Sequence, residues 1–100
     1  MRNGDRTVAD LFHLDAQLIG LGTIVTGRPA IAAFYGGAID NAGPKPEPLG
    51  ELLVDGGRVA AEVAIHLNDG VVMHVVDLFV VEAGLIRSLT YFVSDHPPVA

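Results

Sequence analysis

The chain has 100 residues, half of them hydrophobic, and a formal net charge of −6. This length suits one domain spanning residues 1–100. The six Lys and Arg residues are scattered along a negatively charged chain, which argues against nucleic acid or an anionic membrane as partners. No run can span a bilayer, and the first residues lack the apolar core of a signal peptide, so we expect a cytoplasmic protein. Without cysteine, disulfides and thiolate chemistry are excluded.

The first quarter of the chain predicts a short helix followed by extended structure. Asn3-Gly4-Asp5 is typical of a helix start, with Asp5 as the capping residue of a helix over 6–13. Residues 15–24 alternate weakly in hydropathy and contain two glycines. This segment is therefore predicted to be one strand or a small kinked hairpin.

A second helix is predicted to begin at Gly27-Arg28-Pro29 and to end before Gly43-Pro44. Its apolar stripe consists of Ile31, Phe34, Tyr35, Ala38 and Ile39. The proline-rich segment 44–48 predicts an extended connector. Strands are predicted at 49–54, in a central hairpin over 58–81, and at 85–93, with a tail from Asp95. This order predicts an α+β fold in which a curved antiparallel sheet wraps around the second helix.

The turn of the central hairpin decides which side chains share a face. If Asp69-Gly70 is a two-residue turn, Glu62 lies opposite Asp77. If Asn68-Asp69-Gly70 is a three-residue turn with a bulge at Gly70, Glu62 lies opposite Val76 and the two acids separate. We favour the two-residue turn and keep the other as the alternative.

The two-residue turn gives the hairpin an inner face with three titratable groups. Beside Glu62, Asp77 and His66, that face carries Ala60, Ala64, Met73, Val75 and Phe79. The opposite face is too apolar to lie against water, and it carries His74. We therefore expect a homodimer formed through this outer face.

Two carboxyl groups facing each other in an apolar cavity cannot both ionise at low cost. Glu62 and Asp77 are therefore predicted to share a proton and act as a general acid and base, with His66 as a relay. The alternative is that both acids are solvated at an open pocket mouth. The four histidines lack metal-ligand spacing, and no nucleotide-binding or nucleophile motif is present, so we expect no metal and no cofactor.

Several motifs of the chain resemble those of the nuclear transport factor 2-like superfamily. The resemblance is strongest to its ketosteroid isomerase-like and SnoaL-like polyketide cyclase branches. They are GRPAIAAFY at 27–35, Asp77-Leu78-Phe79, Gly84-Leu85-Ile86 and Tyr91-Phe92. The resemblance extends from Asn3 to Phe92. It implies a cone-like sheet around a helix and a pocket for a small hydrophobic molecule.

The resemblance also implies roles for particular residues. Asp77 matches the family's pocket aspartate, Phe34 a lining residue, and Tyr35 a tyrosine that supports the oxyanion hole. Our predicted catalytic residues are Asp77, Glu62 and His66. The predicted substrate-binding residues are Phe34, Tyr35, Ala64, Met73, Val75, Phe79 and Phe92.

Three departures from the family pattern are visible. Gly20 stands where the isomerases carry their general base. Met1 aligns near the end of the family's first helix, which implies an N-terminally shortened fold. The last strand leaves open whether 89, 91 and 93 or 88, 90 and 92 face inward. We therefore predict that the protein catalyses cofactor-independent proton transfer of isomerase, cyclase or hydrolase type. One alternative is a non-catalytic module of the same fold. A further alternative is an epoxide hydrolase that uses Glu47.

Overall fold

One face of a large curved sheet packs against a long helix in the computed structural model, which describes residues 6–94, 96 and 97. The predicted cap at Asp5 and the tail residue Asp95 lie outside this part. The described elements are a 3₁₀ helix Arg6–Leu11, β1 Phe12–Gly20, β2 Thr23–Thr26, α1 Arg28–Ala42, β3 Lys45–Pro48, β4 Leu53–Asp55, β5 Arg58–His66, β6 Val72–Glu82 and β7 Leu85–Val93.

The strands are ordered β2-β1-β7-β6-β5-β3, and β4 also pairs with β5. All described pairs are antiparallel except β1 with β7, which is parallel. The prediction of an α+β fold with a curved sheet is confirmed. The expected purely antiparallel sheet is corrected, because the first and last strands run side by side in the same direction.

The helix α1 is held over the sheet by both of its ends. At its start, the Arg28 guanidinium donates hydrogen bonds to the Phe12 carbonyl oxygen. At its end, Gly43 has φ 54° and ψ 51°, a left-handed conformation that suits glycine. The Asn68 amide N–H, from the β5–β6 turn, donates to the Ala42 oxygen over 2.9 Å. The helix axis is therefore fixed relative to the central hairpin.

Several predicted elements differ in extent from the observed ones. The first helix is a 3₁₀ segment ending at Leu11, and the segment 15–24 is the predicted hairpin, closed by Leu21 and Gly22 with φ 50° and 76°. The proline-rich connector is extended as predicted, but it pairs with β5 at the sheet edge, where proline is tolerated. The strand predicted over 49–54 is reduced to 53–55.

The predicted register of the central hairpin is wrong. Glu62 pairs with Val76, and His66 pairs with Val72. The turn is the three-residue alternative, in which the Leu67 amide donates to the Val71 oxygen over 2.9 Å and Gly70 has φ 87°. A glycine in this conformation supplies the bulge that such turns require.

The core fills the space between α1, β1 and β7. Its largest fully buried side chains are Phe12, Leu18, Ile31 and Val75. Each such side chain contributes on the order of 2 kcal/mol through removal from water. This rigid base positions the wall of the cavity described below.

Candidate functional site

A cavity of about 260 Å³ lies between α1 and the inner face of β5, β6 and β7. Its volume is slightly below the roughly 300–1,000 Å³ typical of small-molecule pockets. The lining is almost entirely apolar apart from three side chains with ionisable groups. It consists of Leu18, Leu21, Phe34, Tyr35, Ala38, Ala42, Pro44, Ile65, Leu67, Met73, Val75, Asp77, Leu89, Tyr91 and Val93.

Asp77 is the one carboxyl group that the described residues bring to this cavity. It lies at the middle of β6, with Ala61 beside it on β5 and Tyr91 beside it on β7. Burial raises the pKa of Asp77 to about 6, because the charged form loses water. No described residue donates a hydrogen bond to its carboxyl group, and no Lys or Arg lines the cavity. Within the described part of the chain, the Asp77 carboxyl group is thus open to a hydrogen bond from a ligand.

Two phenols surround Asp77. Burial raises the pKa of the Tyr35 hydroxyl, and the nearby charges of Asp77 and Tyr91 raise it further. Burial also raises the pKa of Tyr91, with Asp77 as the second cause. Both phenols therefore stay protonated at neutral pH and serve as hydrogen-bond donors close to the carboxyl group.

The ring of Tyr91 lies directly against Gly20 of β1. A Cβ atom at Gly20 would be only 2.6 Å from two ring carbons of Tyr91, closer than real Cβ contacts. The position at which the resemblance placed a general base is thus occupied by an aromatic ring from a neighbouring strand. Glycine at this position lets the ring lie flat on the backbone.

Five of the predicted site residues line the cavity. They are Phe34, Tyr35, Met73, Val75 and Asp77. Phe34 and Tyr35 form an edge-to-face pair, with ring centroids 5.7 Å apart. Phe34 is 41% exposed, so it forms part of the cavity mouth.

The predicted positions of Glu62 and His66 in the cavity are wrong. Because direct cross-strand partners share a face, Glu62 lies with Val76 on the outer face of the sheet, opposite to Asp77. Its Oε2 atom is 2.6 Å from Nε2 of His74. On the same face, Nε2 of His66 is 2.9 Å from Oε1 of Glu47. Glu62 therefore cannot share a proton with Asp77, and His66 cannot relay one. The epoxide hydrolase alternative fails for the same reason, because no second acid lies beside Asp77 among the described residues.

Three predicted substrate-binding residues also lie elsewhere. Ala64 is buried on the outer face, paired with His74, and Phe92 is 56% exposed there, paired with Val76. Phe79 packs against the hydrophobic core below the cavity. The open question about the last strand is answered by its alternation, since Leu89, Tyr91 and Val93 face inward.

Three further residues were not predicted to belong to the site, namely Tyr91, Ile65 and Leu67. All three line the cavity. The three-residue turn would have identified Ile65 and Leu67, because it places the more apolar side chains of β5 on the face of Asp77. Pairing of Asp77 with Tyr91 then follows from the register of β6 with β7.

Within residues 6–94, 96 and 97, no group of three or more His, Cys, Asp and Glu side chains is arranged to hold a metal ion. In the same part of the chain, no helix has the length and apolar character needed to cross a membrane.

Residues 2–89 match the model of the SnoaL-like domain. The chain belongs to this family. A search of the curated proteins gives no match.

Solved structures share the fold of this SnoaL-like chain. A candidate polyketide cyclase from Sinorhizobium meliloti is 24% identical, with a TM-score of 0.78 over 85% of this chain and 78% of that one. A protein with a ketosteroid isomerase-like fold from Catenulispora acidiphila, in complex with trimethylamine, is 17% identical, with a TM-score of 0.80 over 93% and 76%. A protein from Sphaerobacter thermophilus is 25% identical, with a TM-score of 0.74 over 91% and 82%. The predicted family and fold are confirmed.

Proposed function

We propose that this SnoaL-like chain binds a small, mostly apolar molecule carrying a carbonyl or enol oxygen and moves a proton with Asp77, without a cofactor. The observation that carries the proposal is the Asp77 carboxyl group, which lies in an apolar cavity with no hydrogen-bond partner among the described residues. An unpartnered carboxyl group in such a place is costly for stability, and a functional role explains its presence.

The protonation behaviour of Asp77 suits a general base. With a pKa of about 6, the group is mostly ionised at neutral pH yet remains basic enough to accept a proton. The carboxylate takes a proton from the carbon beside a carbonyl group. The C–H electron pair forms the new carbon–carbon double bond, and the carbonyl oxygen becomes an enolate oxygen. Return of the proton from Asp77 to another carbon would complete an isomerisation.

The relatives support a small-molecule pocket. The Sinorhizobium protein is described as a candidate polyketide cyclase, and the Catenulispora structure contains trimethylamine, a molecule small enough for a cavity of about 260 Å³. Polyketides carry carbonyl groups flanked by acidic C–H bonds. Such substrates fit the proposed chemistry of Asp77.

Hydrogen–deuterium exchange of an enolisable ketone tests the proposal. We expect the protein to accelerate exchange of the α-protons of 2-indanone in D₂O, measured by proton NMR against protein-free buffer. The accelerated rate should rise with pH through about 6, as Asp77 ionises. Asp77→Asn should remove the acceleration, since a carboxamide cannot accept the proton.

Glu62→Gln provides the matched control. It also replaces one carboxylate by an amide, but on the opposite face of the same two strands. This variant should exchange 2-indanone at the wild-type rate. Equal rates for the wild type and Asp77→Asn would contradict the proposal.

A second candidate is a binding module without turnover. It is favoured by Gly20, since the position of the family's general base carries no side chain able to take a proton. In that case the cavity binds a bicyclic phenol such as 2-naphthol, followed by its fluorescence, while 2-indanone exchange stays at the buffer rate.

We also propose that the chain forms a homodimer through the outer face of the sheet. Phe92 is 56% exposed and Val76 39% exposed on this face, although they are direct partners on two strands inside the sheet. Contact with a second copy would remove this apolar area from water. The Glu62–His74 pair lies on the same face and would supply polar contacts beside it.

A further inference from the structure

We propose that Tyr91 acts together with Asp77 to bind a single enol or phenol oxygen of the ligand, with the Tyr91 hydroxyl donating a hydrogen bond to that oxygen and the carboxylate of Asp77 accepting a hydrogen bond from its O–H group. The inference deepens the proposed function and rests on it. It assigns a role to Tyr91 and narrows the ligand class to small apolar enols and phenols.

The register brings the two side chains together. Asp77 and Tyr91 are direct partners on the antiparallel strands β6 and β7, and both line the cavity. Direct partners have Cβ atoms about 4.5–5.5 Å apart and point to the same face. Neither side chain has a hydrogen-bond partner among the described residues. As far as the described residues are concerned, both polar groups can therefore bind one ligand atom.

Gly20 fixes the orientation of the Tyr91 ring. The ring carbons occupy the space that a side chain at Gly20 would fill, as near as 2.6 Å to the missing Cβ. The ring is thus supported on one side by the backbone of β1, and Tyr91 lines the same cavity as Asp77. A supported aromatic donor loses little conformational entropy when a ligand binds.

Tyr35 is the other phenol at the cavity and serves as a comparison. It comes from α1, is only 6% exposed, and its ring packs against both Phe12 and Phe34. Tyr35 thus has a packing role in the core, whereas Tyr91 is partly exposed. Tyr35 and Tyr91 are the titratable side chains that line the cavity beside Asp77 among the described residues.

The binding step breaks no covalent bond. The ligand O–H donates a hydrogen bond to the ionised carboxylate of Asp77, and the Tyr91 hydroxyl donates a hydrogen bond to the same ligand oxygen. A hydrogen bond to a charged group is stronger than one between neutral groups, so ionisation of Asp77 favours binding.

Binding of 2-naphthol, which stays protonated in water at pH 5–8, tests the inference by fluorescence titration. Tyr91→Phe keeps the ring and removes the hydroxyl, and we expect affinity to fall roughly tenfold at every pH, as for one lost hydrogen bond. Glu62→Gln, on the opposite face of the sheet, is the control and should bind 2-naphthol with wild-type affinity. Asp77→Asn should remove the fall in affinity that the wild type shows below pH 6.

A double-mutant cycle with Gly20→Ala tests the support of the ring. We expect Gly20→Ala to weaken 2-naphthol binding in the wild type, because the new Cβ displaces the ring, and to have no further effect in the Tyr91→Phe background. Additive losses would overturn the role of Gly20 in orienting the hydroxyl.

The outcomes separate the inference from the function on which it rests. Wild-type affinity in Tyr91→Phe, with binding still dependent on Asp77, overturns the role of Tyr91 alone. Identical pH profiles for Asp77→Asn and the wild type contradict the proposed function. A wild-type protein that does not bind 2-naphthol at millimolar concentration overturns the assigned ligand class.

Discussion

Glu62 and Asp77 lie on opposite faces of the same pair of strands. Glu62 is paired with Val76 and contacts His74 in a half-exposed ion pair, whereas Asp77 faces the cavity without a partner among the described residues. The glycine bulge at Gly70 produces this separation, since one residue fewer in the turn would place the two acids opposite each other. Among the described residues, Asp77 is therefore the one carboxyl group that lines the cavity.

The first prediction concerns stability as a function of pH. The pKa of Asp77 rises from 3.8 to about 6 on folding, so above pH 4 the unfolded state binds fewer protons at this group than the native state. The contribution of Asp77 to stability must therefore fall as pH rises towards about 6. The difference in free energy of unfolding between Asp77→Asn and wild type should therefore change with pH. We expect it to move in favour of Asp77→Asn by about 1–2 kcal/mol from pH 4.5 to pH 7.5, measured by urea unfolding.

Comparison of two proteins at each pH removes the contributions of all other titrating groups. Glu62→Gln should show a difference from wild type of less than about 1 kcal/mol, because both members of its ion pair are partly exposed. If the difference in free energy of unfolding between Asp77→Asn and wild type is the same at pH 4.5 and pH 7.5, the burial of the ionised carboxyl group is disproved.

A pair of glycine substitutions tests the backbone of the fold. In Gly57→Ala the new Cβ would lie 2.7 Å from the Val81 carbonyl oxygen, so we expect a loss of about 1–3 kcal/mol. In Gly37→Ala, inside α1, the Cβ would meet no described atom within 4 Å, and alanine favours helix by about 0.5–1 kcal/mol. Thermal unfolding should show opposite shifts in Tm. Equal shifts would contradict the β4–β5 turn described here.

A charged substitution on the outer face of the sheet should change the oligomeric state of the protein. Phe92→Asp places a charge on an exposed apolar position, so the proposed homodimer should dissociate while the fold is retained. Val54→Asp, which is also exposed but lies on the face of the sheet that carries Asp77, is the control and should remain dimeric. Sedimentation velocity measures both. A wild-type protein that is already monomeric, or a dimeric Phe92→Asp, refutes this interface.

The motifs of the sequence were sufficient to predict the family, the long helix, and the last strand with its bounds at Leu85 and Val93. These features depend on local signals such as Pro29 in the first helical turn and the Ala83-Gly84 turn. They are strong because each is decided by a few neighbouring residues.

The residues of the site depend on the length of the β5–β6 turn, which local sequence signals do not determine. Asp69-Gly70 fits both a two-residue and a three-residue turn, and a shift of one residue moves every side chain of β5 to the other face. Ile65 lines the cavity and His66 is exposed, an arrangement that could have been argued from the hydropathy of the two side chains. The contact of Tyr91 with Gly20 joins strands distant in the sequence, so no local pattern reveals it.

Carbon-13 NMR titration of the Asp77 side-chain carboxyl carbon is the most direct test of the account. The signal, assigned by its loss in Asp77→Asn, should titrate with a pKa of about 6, and added 2-naphthol should change that pKa. A pKa near 4 that does not respond to 2-naphthol would contradict the isolated, buried carboxyl group on which the proposed chemistry depends.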